Sequence, residues 1–217
     1  MKKYKKYFDL IKKIFIETHE NAGGSEFRYF HSINVANISN YLANKNKLST
    51  IDKEIVIVAS LFHDISKHKR VTTDGFLDGS KIYEISNKLK PHELESAEMA
   101  SNFIKNDFLE EIVSKIKNTI VNHSNPSTIY EKVLHDADEL SEMGVMNLWK
   151  MFTYSSYKKR NIADTVKYWN EEDKIRHMDK VNSLFLNESK KEGLKRIKEV
   201  DKIINNLSRA YTIDFGN

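Results

Sequence analysis

Apolar side chains recur at three- and four-residue intervals along most of this chain, and strict two-residue alternation is rare. Tyr7, Ile11, Ile14 and Phe15 follow that spacing near the start. Val35, Ile38 and Leu42 repeat it, then Val113, Ile116 and Ile120, and finally Leu194, Ile197, Ile204 and Leu207. A period near 3.6 places such residues on one face of a helix, so each run predicts an amphipathic helix. Only 7 glycines and 2 prolines interrupt the pattern. It predicts helices near 4–19, 27–46, 51–66, 92–105, 109–123, 128–153, 163–185 and 188–208, and hence an all-α fold.

Local signals fit these boundaries. The segment Asn21 to Ser25, with two glycines, separates the first two helices. Asp52 and Glu54 fall in the first turn of the third, where negative charge complements the helix dipole. Asn122 to Pro126 ends another helix, and Ser127 or Thr128 can cap the next. Residues 70–91 mix Gly, Asp and Thr with a short apolar piece, which predicts a loop holding at most one short helix. No repeat or low-complexity linker is present, and the alternating charges of 188–202 read as a solvated face over an apolar stripe.

Composition narrows the chemistry. Among 217 residues there is no cysteine, which removes disulfides, thiolate metal sites and cysteine nucleophiles. Any metal would have to be held by imidazole and carboxylate. The balance of 35 Lys+Arg against 31 Asp+Glu leaves a formal charge of +4, spread along the chain. That is compatible with anionic small molecules but too diffuse to argue for nucleic acid. The lysine-rich start resembles a signal peptide only superficially, because Asp9, Lys12 and Lys13 break the apolar run. The longest apolar stretch, Ile55 to Phe62, is far too short to span a bilayer. A soluble, cytoplasmic protein is expected, with no membrane partner; the sequence is silent on oligomeric state.

Several polar groups lie on apolar stripes. His31 is in line with Val35, Ile38 and Leu42, and His123 continues Val113, Ile116 and Ile120. His63 and Asp64 close a helix that is apolar nearly all round, and Asp138 sits one turn beyond Leu134. A single histidine on an apolar face is more often a hydrogen-bonded core residue than a ligand. A buried aspartate is different, because desolvating a carboxylate is costly unless something pairs with it. No arginine or lysine is evident on the matching stripes. A divalent cation would neutralise Asp64 and Asp138 and give the imidazoles a partner.

At these residues the chain resembles the HD superfamily of metal-dependent phosphohydrolases, whose pattern is a histidine, an adjacent His-Asp pair and a distant aspartate on separate helices. Here it reads as His31 in FRYFHSINVANIS, His63-Asp64 in IVIVASLFHDISK and Asp138 in LHDADELSEMG. The small-Asp-x-Leu context favours Asp138 over Asp136. The resemblance implies a helical bundle with its metal-binding core at about 20–155, and flanking helices at 1–19 and 156–217 packed on the same domain. It implies His31, His63, Asp64 and Asp138 as metal ligands. His92 and His123 match positions that hold a second ion in two-metal members, with Asp64 then bridging; the alternative is that both only line the pocket. Many relatives carry an arginine three residues after the first histidine, where this chain has Asn34. His19, His68, His135 and His177 match no ligand position and read as ordinary surface or supporting residues.

The implied activity is hydrolysis of a nucleotide or other small phosphate ester by a metal-activated water, with Asp64 and Lys67 as the catalytic side chains. Lys67 follows Asp64 by three residues, at the rim of the expected pocket, whereas Lys69 and Arg70 read as a solvated basic loop. The cofactor would be one or two divalent ions, from Mn, Fe, Co, Ni and Zn, with Mg a further candidate. Two other functions use the same ligand order: a di-iron oxygenase, and a non-catalytic metal or nucleotide sensor.

Overall fold

A computed structural model describes residues 4–16, 25–70 and 91–211. Residues 71–90 of the loop expected over 70–91, residues 21–24 of the separating segment Asn21–Ser25, and His19 lie outside the described residues, as do the side chains of His68, Lys69 and Arg70. Every regular element among the described residues is helical, as the periodicity predicts. The chain divides into two compact units, Met1–Ala137 and Asp138–Asn217.

The first unit contains α1 (Lys5–Ile16), α2 (Ser25–Lys45), α3 (Thr50–Phe62), a 3-10 turn (Ile65–Arg70), α4 (His92–Ile104), α5 (Glu110–Asn122) and most of α6 (Ile129–Ser141). Ile11 and Phe15 of α1, Leu42 of α2, Ile55 and Phe62 of α3, and Ile116 and Ile120 of α5 are fully buried. Burying such side chains contributes roughly 1.5–3 kcal/mol each and drives the helices together. Helix α2 packs along α3, α3 along α5, and α4 along α5. Ser60 interrupts the apolar face of α3 at no cost in unpaired groups. Its hydroxyl donates to the Val56 carbonyl at 2.6 Å and meets the Ser39 hydroxyl of α2, also at 2.6 Å.

Capping sets where α3 and α6 begin. Ser49 accepts from the Asp52 amide at 3.2 Å, which stops α3 from starting earlier. At α6, the Thr128 hydroxyl accepts from the Glu131 amide, while Glu131 accepts from the Ser127 and Thr128 amides at 2.8 Å each. This reciprocal arrangement satisfies amides that a helix start would otherwise leave unbonded.

The second unit contains the end of α6, then α7 (Val145–Tyr157), α8 (Ile162–Tyr168), a π turn (Trp169–Asp173), α9 (Lys174–Ser183) and α10 (Asn187–Tyr211). The single helix expected over 128–153 is two helices, because Gly144 takes φ +73° between them. That left-handed backbone suits a residue without Cβ. The helix expected over 163–185 runs to Ser183 but widens at the π turn, which turns Trp169 and Asp173 inward. Trp169 donates to Asp201 of α10 at 2.8 Å, and Asn147 of α7 donates to Asp173 at 2.9 Å. Helix α10 passes so close to α9 that a Cβ on Gly193 would lie 2.6 Å from Val181. His177, read from sequence as a surface or supporting residue, is buried here beside Trp169 and Asp173.

Candidate metal centre

Helix α3 ends at Phe62, four residues before the end expected for it, and the chain turns through His63 and Asp64 into the 3-10 turn. The apolar run of α3 is buried all round, so whatever follows it directly is also drawn into the interior. His63 is fully buried and Asp64 is 1% exposed. His31, from the middle of α2, is buried against them, with its ring centroid 5.3 Å from that of His63. Ligand-capable atoms of His31, His63 and Asp64 all lie within 4.8 Å of one another.

The geometry around Asp64 is specific. Its Oδ2 lies 3.7 Å from His31 Nε2, and its Oδ1 lies 3.6 Å from His63 Nε2 and 3.5 Å from His92 Nε2. His63 Nδ1–H donates to the Ser60 carbonyl at 2.7 Å, and His123 Nδ1–H donates to the Ile120 carbonyl at 2.7 Å. A proton held at Nδ1 leaves a lone pair at Nε2, the tautomer that a metal ligand needs. Histidine at the C-terminal end of a helix finds that carbonyl within its own last turn, and both rings are oriented by this local bond. The ring of His123 lies 5.7 Å from His63 and 6.5 Å from His92, centroid to centroid.

His92 and Lys67 reach Asp64 through a serine clasp. The Ser66 amide donates to the Ser96 hydroxyl at 3.1 Å, and the Ser66 hydroxyl donates to the His92 carbonyl at 3.0 Å. Together with the 3.0 Å contact between the two hydroxyls, this ties the 3-10 turn to the first turn of α4. Lys67 Nζ then lies 2.7 Å from Asp64 Oδ1. Burial, and next the charge of Lys67, push the His92 imidazole down to about 4. The ring is therefore neutral near pH 7 and offers a lone pair.

Two features were not visible in the sequence pattern. Asp64 does have basic partners: besides Lys67, Arg28 Nη1 lies 3.2 Å from Oδ2. Arg28 precedes His31 by three residues, the spacing that puts two side chains on one face of a helix. That spacing is the signal that could have located it. His135, set aside as a surface or supporting residue, is half-buried, and its Nδ1–H donates to the His123 carbonyl at 2.9 Å. It thus braces the loop after α5.

Asp138 opens the second unit and is half-buried, with its carbonyl accepting from Ser141 at 2.7 Å. Two residues earlier, Asp136 is fully buried in the first unit. Asn34 is half-buried on α2. Buried imidazole and carboxylate donors at these separations fit a divalent ion of borderline character, and the chain has no thiolate to compete.

An all-helical chain that gathers His31 and a consecutive His63-Asp64 pair into one buried donor set defines a His-Asp metal-binding class. The family model of the HD domain matches residues 28–143, more than half of the chain. This chain belongs to the HD domain family, and membership supports a metal-dependent phosphohydrolase as the general class. Solved structures agree on the fold. An HD-superfamily hydrolase from Bacillus thuringiensis is 18% identical, with a TM-score of 0.66 over 98% of each chain. A predicted HD-superfamily hydrolase from an uncultured Thermotogales bacterium is 16% identical, with a TM-score of 0.63 over 96% of this chain and 92% of that one. YpgQ of Bacillus subtilis, solved in complex with ADP, is 16% identical, with a TM-score of 0.62 over 96% and 95%. No curated protein matches this chain in sequence.

Proposed function

We propose that this chain is a metal-dependent phosphohydrolase acting on a nucleotide or other small phosphate ester. The observation that carries the proposal is the buried set of His31, His63 and Asp64, with the His63 tautomer fixed so that Nε2 faces the carboxylate. By the family pattern alone, Asp138 would be the fourth ligand. A divalent ion held there would act as a Lewis acid, polarising a phosphoryl oxygen and bringing the pKa of water toward neutrality. His63 and His31 would hold the ion through ring nitrogens, and the low protonation range of His92 keeps a third imidazole available. Asp64 would accept the proton that the attacking water gives up. Lys67, on the turn that the serine clasp ties down and 2.7 Å from Asp64, would offer its ammonium to charge building on the phosphoryl group. Water is the nucleophile, so no serine or cysteine is required.

The positions of His92 and His123 favour a two-ion version. His92 Nε2 lies 3.5 Å from Asp64 Oδ1, and the His123 ring lies near both His63 and His92. In that version Asp64 would serve as a ligand to both ions. The ADP complex of the similarly folded YpgQ supports a nucleotide as the first substrate class to try. The deciding experiment is a phosphate-release screen over nucleoside mono-, di- and triphosphates with Mn, Co, Ni, Fe, Zn and Mg. Release with at least one pair, abolished by Asp64→Ala, is the expected result. Oxygen consumption with no phosphate release would replace this reading with a di-iron oxygenase. Nucleotide binding without turnover under every metal would leave a sensor.

A further inference from the structure

Each oxygen of Asp64 is shared between an imidazole and a cation. Oδ2 faces His31 and Arg28; Oδ1 faces His63, His92 and Lys67. A divalent ion held by His31, His63 and Asp64 would bring its charge into the same small volume as the Arg28 guanidinium. Like charges at such separations repel, and the carboxylate cannot serve both fully. The two cations differ in what they can do next. Lys67 follows Asp64 by three residues on a turn tied down by Ser66 and Ser96. Arg28 comes from a different helix and touches the carboxylate through Nη1, with about the same quarter of its side chain exposed as Lys67. Its planar fork matches two oxygens of a phosphate better than it matches one carboxylate oxygen.

Building on the metal-dependent reading above, we propose that Arg28 is a displaceable counter-ion: it neutralises Asp64 while the site holds no cation, and turns to bind the substrate phosphate once Asp64 serves a metal. Metal loading and phosphate binding are then coupled through one side chain.

The test uses the full chain, with Arg28→Met and Arg28→Lys variants checked for native helicity and melting. Calorimetric titration with Mn(II), then with inorganic phosphate on the Mn-loaded protein, gives two affinities per variant. Arg28→Met should bind Mn(II) at least as tightly as the native chain, because a competitor for Asp64 is gone. Its phosphate affinity should fall roughly tenfold or more, the scale of a charged hydrogen bond left unmade. Arg28→Lys should fall between, keeping charge without the fork. Unchanged phosphate affinity in Arg28→Met overturns the inference while leaving the metal reading intact. A tenfold loss of Mn(II) affinity also overturns it, since Arg28 would then support the ligands rather than compete with them. A native chain that takes up no divalent metal overturns both readings, and the first titration alone reveals that.

Discussion

Replacing Asp64 by Asn probes the centre with the smallest change in shape. The carboxylate is 1% exposed and holds Lys67 at 2.7 Å and Arg28 at 3.2 Å. A hydrogen bond to a charged group is worth about 1.5–3 kcal/mol, so the two contacts set an upper bound near 3–6 kcal/mol. That bound is too high for this site. Both cations keep about a quarter of their side chains exposed, so each can rotate toward water when its partner is neutralised. Solvent then recovers much of the loss, as it does for exposed pairs generally. Asparagine also retains one acceptor oxygen. The expected cost in the metal-free protein is about 1–3 kcal/mol, or a fall in Tm of very roughly 3–10 °C for a chain of this size. Thermal melts followed by far-ultraviolet circular dichroism, in the presence of a chelator, measure it. Elemental analysis of the same variant should find no bound metal. A metal-free Asp64→Asn protein as stable as the native one, or more stable, would refute the reasoning. It would mean that Arg28 and Lys67 do not compensate the buried charge, and that Asp64 is a strained carboxylate kept for binding alone. Full metal occupancy would falsify its assignment as a ligand.

Three further outcomes follow from other contacts. Native protein loaded with Mn or Fe should contain close to two ions per chain if His92 and His123 complete a second site, and His123→Ala should move that figure toward one; a single ion unaffected by the change leaves both histidines as pocket lining. Lys67→Met should lower kcat by roughly 10²-fold with KM little changed, the scale of one preorganised donor, and should not reduce metal content; an unaltered kcat returns Lys67 to a supporting ion pair. In the second unit, burial works to raise the Asp173 pKa, but His177, Asn147 and Arg176 together outweigh it and hold the group at about 2 against its usual 3.8. A depressed carboxylate stabilises the fold above its unfolded pKa and loses that contribution as pH falls through the folded one. Stability should therefore decline between about pH 4 and pH 2, and Asp173→Asn should flatten that part of a urea-midpoint profile; an identical profile in the variant removes Asp173 as the cause.

Periodicity alone was enough to specify an all-helical chain, because a 3.6-residue repeat of apolar groups can be buried in only one way by a local backbone. It also carried His31, His63, Asp64 and His123 to the interior, since each lies in line with, or directly after, apolar residues of its own helix. The cap at Thr128 was legible because its partner is three residues away; Ser49 caps α3 at the same spacing but was not singled out from sequence. What local pattern could not decide was everything that depends on neighbours far along the chain. The end of α3 at Phe62 reflects the turn that places His63 and Asp64 side by side. The breaks at Gly144 and at the π turn rest on backbone geometry adopted against other helices. Arg28 was not singled out: its spacing from His31 places both on one face of α2, but only the tertiary fold brings the carboxylate of residue 64 to it. Lys67 and His92 were visible as candidates, yet the serine clasp between residues 66 and 96 brings them to the same oxygen. Helical sequence fixes which face of each helix is buried; only the packing of α2, α3 and α4 determines which polar groups meet there and which charges they must neutralise.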